Sequence, residues 1–221
     1  MAKTSTGPAA PRLARDLPLL DGPSLCDETE WSGSQVRGDL SSQLADRVEI
    51  NSSRLVETSL VGTELYGVRL VDVMVERCDL SGASLQEATL QRVQFTDCRL
   101  SAVTLSSSQL HHVRFVDCKM DDANLRMANG DHVAFQRCLL RGADLYASRI
   151  SSCWLLDSDL SGAELSKADL PGARLHGSTI DDLRGATSLR GAVIDSSQVL
   201  PLARSMLPAL GVVVDDERNF D

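Results

Sequence analysis

Every fifth residue of this chain is large and apolar over most of its length. From Ile50 to Ile180 that spacing samples 27 positions, of which 26 are Leu, Ile, Val, Phe or Met and only Gly130 departs. Two residues before each, from Val48 to Ser178, all 27 positions hold Ala, Ser, Thr, Val or Cys. A small inward side chain therefore accompanies each large one. The other three residues of units such as RVEIN, ATLQR and CRLSA are mostly polar or Gly and are expected to face water. A helix needs a period of 3.6 and a strand a period of 2, so a pattern of five drifts off either within two turns. It fits a coil with short, equal sides.

A second period gives the number of sides. Cys78, Cys98, Cys118 and Cys138 are twenty residues apart, as are Phe95, Phe115 and Phe135, and Val73, Val93, Val113 and Val133. Four pentads thus make one coil, with like side chains stacked at the inter-strand spacing of about 4.8 Å. The predicted fold is an all-β solenoid, a quadrilateral β-helix of roughly seven coils and about 33 Å. Each buried Leu adds roughly 1.5–3 kcal/mol. The narrow interior explains the small partner residues, since a Leu at Ala123 would overpack the neighbouring column. Gly130 leaves either a void or a bulge in the column of Leu70, Leu90, Leu110, Ile150 and Leu170, and the Asn129–Gly130 pair favours a bulge.

The ends follow other rules, because an uncapped coil exposes a ladder edge. Residues 1–30, with Pro8, Pro11, Pro18 and Pro23, read as a flexible tail, and Trp31 and Val36 as a cover for the first coil. The β-helix is assigned to 31–195. After Ile180 the register slips by one, with Leu189 and Ile194 again five apart, and the coil is expected to end there. Residues 196–221 read as a C-terminal helix and strand. Ser196 or Ser197 is the expected N-cap, Gly211 the stop, and Val212, Val213 and Val214 a short strand. Val199, Leu200, Ala203, Met206, Leu207 and Leu210 fall on one helix face. That face either caps the last coil or meets its twin across a two-fold axis; the extra apolar Leu202 and the three valines favour a homodimer.

Composition narrows the function. Aromatic residues are 4% of the chain, too few for base-stacking platforms, and 22 Lys and Arg against 31 Asp and Glu give a net charge of −9. Direct nucleic-acid binding is therefore not expected, and partners should be neutral or basic. No secretory leader and no membrane-spanning run is legible, so the expected location is the cytoplasm, with free thiols.

GADLY, GAELS, KADLP and DANLR resemble the A(D/N)LXX unit of the pentapeptide repeat proteins, and VRFVDCKMDDANL its variant with Phe and Cys on adjacent sides. The resemblance covers about residues 46–180 and implies a right-handed quadrilateral β-helix. The stretch LRGAVIDSSQVLPLARSMLPALGVVV is similar to the end of the mycobacterial fluoroquinolone-resistance type, in which a terminal helix makes a two-fold dimer. What that resemblance implies is a protein partner, DNA gyrase, met by a rod that imitates DNA. The charges give a mixed answer. Residues 51–150 hold eleven basic and twelve acidic side chains, and residues 151–221 six and eleven. Asp157, Asp159, Glu164, Asp169, Asp181 and Asp182 form the best candidate acidic patch, whereas Glu57, Arg77, Asp97, Asp117, Arg137 and Asp157 alternate in sign along one column. The alternative is an interaction module without DNA mimicry.

Catalytic chemistry is not expected. There is no GxSxG elbow, no GxxxxGK[ST] and no GxGxxG. The linear Cys column offers at most two sulfurs to any one point, too few for zinc, so its residues read as packing. His111, His112, Asp131 and His132 have ligand chemistry, with His112 and His132 in one outward column, and read as ordinary surface residues. No metal or cofactor is expected.

Overall fold

The computed structural model describes residues 7–20 and 22–213. The backbone winds into a right-handed quadrilateral β-helix of about six turns, followed by one short helix. Eleven strands pair in parallel. They are β1 (Glu30–Ser32), β2 (Gln35–Asp39), β3 (Leu44–Asp46), β4 (Glu49–Asn51), β5 (Arg54–Ser59), β6 (Glu64–Tyr66), β7 (Arg69–Glu76), β8 (Thr89–Thr96), β9 (Gln109–Val116), β10 (Asn129–Gln136) and β11 (Arg149–Leu156). From β7 to β11 each strand pairs with the residue twenty further on: Leu70 with Leu90, Val93 with Val113, Phe115 with Phe135. Phe95, Phe115 and Phe135 stack with ring centroids 4.8 and 5.0 Å apart. On the other two sides the coils meet through single bridges such as Thr104↔Asn124, and turn bonds such as Ala123 N–H to the Met120 carbonyl (3.1 Å) tighten the corners.

The corners have a conformational signature. All twenty-nine positions at five-residue spacing from Ser42 to Asp182 have positive φ, and twenty-two of them are not Gly. Two of these, His112 (φ 56°) and His132 (φ 52°), lie in the middle of β9 and β10, which bend there from one side of the rod to the next.

Two expectations change, at the first coil and at Gly130. Trp31 and Val36 do not cover the first coil; they are its inward residues, paired with Ile50 and Leu55 at a spacing of nineteen, and a bulge between Val36 and Gly38 restores the spacing of twenty. Beyond Ile180 the winding continues to Val193, whose N–H donates to the Ala173 carbonyl (2.7 Å) and whose carbonyl accepts from Leu175 N–H (2.9 Å). The slipped residue is absorbed by a 3₁₀ turn, Ala186–Leu189, entered through Gly185, where a Cβ would lie 2.3 Å from the Ser166 nitrogen. Gly130 makes no bulge. It pairs in register with Leu110 and Ile150, and its backbone comes so close that a Cβ would lie 2.0 Å from the Leu110 carbonyl oxygen. The missing side chain is replaced by main chain.

All six cysteines are free. Cys78, Cys98, Cys118, Cys138 and Cys153 are buried. Burial alone pushes the Cys153 thiol up to about 12, and Cys98 and Cys138 donate to the carbonyls of Val75 (3.4 Å) and Phe115 (3.5 Å).

Candidate functional site

The last coil is closed by a helix start, not by an apolar face. Asp195 is the N-cap in place of Ser196 or Ser197: its carboxylate accepts from the Ser197 N–H (3.0 Å) and the Gly177 N–H (2.8 Å), and Gln198 Oε1 accepts from the Asp195 N–H (3.0 Å). Gln198 is 2% exposed and its Nε2 donates to the carbonyls of Leu175 (2.5 Å) and Ser178 (2.6 Å); the first also accepts a turn bond from the Ser178 N–H (3.0 Å), whereas the second has no other described donor. The helix α1 (Val199–Met206) then lays Leu202 and Met206 against the core.

The remaining apolar residues of this segment point away. Val199 is 58% exposed, Leu200 61% and Leu210 67%; Ala203 is exposed and Leu207 half-buried. A 3₁₀ turn, Pro208–Leu210, ends at Gly211 (φ 70°). Val212 and Val213 form no strand, because no neighbouring strand offers them partners, and Val214 lies outside the described residues.

The six candidate acids are not on one side of the rod. Asp159 stacks between Leu139 and Thr179, Glu164 between Asp144 and Arg184, and Asp169 on Arg149, on three successive sides of the coil. Asp157 and Asp182 are corner residues and Asp181 adjoins the latter. Their surroundings differ as well. Glu164 lies 3.6 Å from Arg184 and Asp159 3.9 Å from Arg141. A hydrogen bond from Ser166, assisted by Arg184, holds the Glu164 carboxyl below its ordinary range against a desolvation cost. Asp157, Asp169, Asp181 and Asp182 are exposed and make no ion pair with a described residue.

Along the body many of the acids are matched. Glu57 sits between Arg37 (3.4 Å) and Arg77 (3.2 Å), and Asp117 pairs with Arg137 (2.7 Å), Asp121 with Arg141 (2.8 Å) and Asp79 with Arg99 (3.7 Å), each one coil away. Asp72 is the most enclosed. Both its oxygens accept from Arg92 at 2.6 Å, and Oδ1 also accepts from the Arg12 N–H (3.0 Å). The Arg92 bonds hold this carboxyl below its ordinary range despite desolvation.

That contact with Arg12 belongs to a feature the composition concealed. Residues 7–20, expected to be loose, lie along the outside of the rod from its far coils back to its first. A Cβ on Gly7 would touch the Trp154 ring at 2.9 Å; Pro8 is buried and its carbonyl accepts from Arg114 (3.2 Å); Ala9 N–H donates to His112 Nδ1 (3.2 Å); and Pro18 and Leu20 bond Gln35. Ala134 sits at an outward position on this side between Arg114 and Trp154, yet is 4% exposed. The segment is mainly Pro, Ala and Leu, which gives it neither helical nor strand periodicity, so only spatial contacts reveal its course.

A four-sided solenoid of five-residue units, closed by a capping helix, defines a class of repeat protein. The sequence pattern described as Pentapeptide repeat region matches residues 48–115 and 88–165, and the chain belongs to the pentapeptide repeat family. Among solved structures it is similar to HetL, a pentapeptide repeat protein involved in heterocyst differentiation regulation from the cyanobacterium Nostoc sp. strain PCC 7120. The identity is 20%, over 77% of this chain and 91% of that one, with a TM-score of 0.47. Full-length QnrB1, a plasmid-mediated fluoroquinolone resistance protein, is 17% identical over 86% of this chain and 100% of that one, with a TM-score of 0.33. Rfr23 from the cyanobacterium Cyanothece 51142 is 20% identical over 62% and 88%, with a TM-score of 0.29. No curated protein matches the sequence. No described helix is long and apolar enough to cross a membrane.

Proposed function

We propose that this protein is a non-catalytic binding module that meets a protein partner with the C-terminal end of its rod, as a two-fold dimer joined through Val199, Leu200, Ala203, Leu207 and Leu210, Met206 being turned to the chain's own core. The observation that carries this reading is a contrast of surfaces. Many body acids are matched to arginines about one coil away, whereas Asp157, Asp169, Asp181 and Asp182 make no ion pair with a described residue, and Val199, Leu200 and Leu210 of the terminal segment are exposed. Unneutralised charge steers a basic partner, and exposed apolar side chains give an interface its desolvation energy.

A second reading is favoured by the same acids: two chains joined end to end bring two acidic rings to one centre, and the dimer then occupies the DNA site of DNA gyrase as a duplex would. The paired columns speak for the module without mimicry, since alternating charge leaves no phosphate-like line along the body. Supercoiling by gyrase with the purified chain added separates the two. Inhibition or protection that disappears when Asp157, Asp159, Glu164 and Asp169 are changed to Lys supports mimicry. Activity unchanged at every concentration removes gyrase as the partner and leaves the module.

A further inference from the structure

We propose that His112, Asp131 and His132 form a binding site for a divalent transition-metal ion of zinc character, and that an ion there and the amino-terminal segment exclude one another at His112. Of the described residues, these three bring potential ligand atoms within 4.8 Å of one another. They sit on a rigid support: His112 and His132 occupy successive corners of the ladder, their rings 4.7 Å apart and tilted by 35°. Asp131 is already oriented, with Oδ1 2.6 Å from His111 Nδ1 and Oδ2 3.2 Å from His132 Nδ1.

Two imidazoles and a carboxylate on one face make a three-ligand set with open positions, the arrangement of zinc and related ions outside closed structural sites. Zinc–nitrogen bonds of about 2.0–2.1 Å place tetrahedral ligand atoms roughly 3.3 Å apart. The three residues are half-buried, not locked in the core, and binding requires their side chains to rotate from the 4.8 Å limit to that spacing. His111 then stands behind Asp131 as the partner that fixes its orientation, the usual supporting role of a group bonded to a ligand. Arg92, one coil before His112, is engaged by Asp72, and Arg114, two residues after it, by the Pro8 carbonyl.

The exclusion follows from the proton count of imidazole. Neutral histidine carries one N–H, and Nδ1 of His112 accepts from the Ala9 N–H, so the proton is on Nε2. An ion on Nδ1 displaces Ala9 directly. An ion on Nε2 moves the proton to Nδ1, where it faces the Ala9 N–H, donor against donor. Whichever nitrogen coordinates, one of the two hydrogen bonds that anchor this part of the segment is lost, leaving the Arg114 bond to the Pro8 carbonyl, and the cover over Ala134 and Trp154 loosens with it.

The test uses the untagged, chelator-stripped full chain titrated with zinc chloride by calorimetry, with amide exchange of Ala9, Ala10 and Arg12 followed in parallel. The expected result is one ion per chain, affinity reduced tenfold or more in His132→Ala, and exchange at these three amides accelerated by zinc in the wild type. His132→Ala keeps the His112 acceptor, so its exchange without zinc should match the wild type and zinc should not change it. His132→Asn, suited to a left-handed corner, guards against a folding defect. Absence of saturable binding, or binding undiminished in the His132 variants and therefore located elsewhere, as at exposed Cys26, overturns the site. Binding through these residues with exchange unchanged overturns the exclusion.

Discussion

Ala102 shows how much of this fold is decided one residue at a time. It occupies a corner at φ 55° with its side chain in solvent, so its substitution changes backbone strain and little else. Left-handed backbone costs an L-residue roughly 1–2 kcal/mol and glycine almost nothing. Ala102→Gly is expected to raise the unfolding free energy by about 0.5–1 kcal/mol after glycine's added chain entropy, and Ala102→Val, with its branched Cβ, to lower it by more than about 1 kcal/mol. Urea unfolding of the two variants checks both signs. This rule was legible: none of the twenty-nine corner positions holds Val, Ile or Thr. A search for buried residues passes over it, because it is written in what the outward positions lack. Asp72 is the other residue whose environment sets a measurable quantity. Its carboxyl is held low by Arg92, and a group depressed in the folded state stabilises above its unfolded value and loses that contribution as pH falls through the folded one. Asp72→Asn should therefore be less stable than wild type by about 1–3 kcal/mol near neutral pH, with the gap constant above about pH 5 and closing below about pH 4. A gap independent of pH would show that the charge of Asp72 contributes nothing.

At the scale of elements, inward columns and connecting segments differ in how they are written. The stacks of Leu, Phe and Cys repeat at twenty because each coil must match the last, and this made the solenoid readable before any coordinates. Cap and outer segment are used once and have no period. The cap nevertheless had a local sign, since Asp195-Ser196-Ser197-Gln198 has the spacing of a capping box, with Asp in place of the commoner Ser or Thr. Reading for hydroxyl N-caps alone put the start one or two residues late and left Gln198 unnoticed as the plug of the last coil. Gln198→Leu keeps the volume but leaves the Ser178 carbonyl without a described donor and the Leu175 carbonyl with its turn bond alone. The expected cost is about 1–3 kcal/mol, with faster amide exchange confined to residues 170–195. Protection lost evenly along the rod would mean that the cap supports the whole ladder and not its last coil.

For the whole molecule, stability and association should be separable, because different residues of one short segment serve them. Gln198, Leu202 and Met206 face the chain's own core; Val199, Leu200 and Leu210 are largely exposed and face outward. A solenoid is held by contacts between neighbouring coils, so a change that spares the inward set leaves the ladder intact. Leu200→Asp with Leu210→Asp is therefore expected to convert a particle of twice the 23.9 kDa chain mass into one of a single chain mass, measured by light scattering, without altering the β-sheet circular dichroism. The wild type should also melt at a temperature that rises with protein concentration, as mass action requires of a dimer, and the double variant should not. A wild-type mass equal to one chain at every concentration would remove the two-fold dimer. The acidic end of a single rod would then have to hold its partner alone, and the outward leucines would belong to that partner's contact surface.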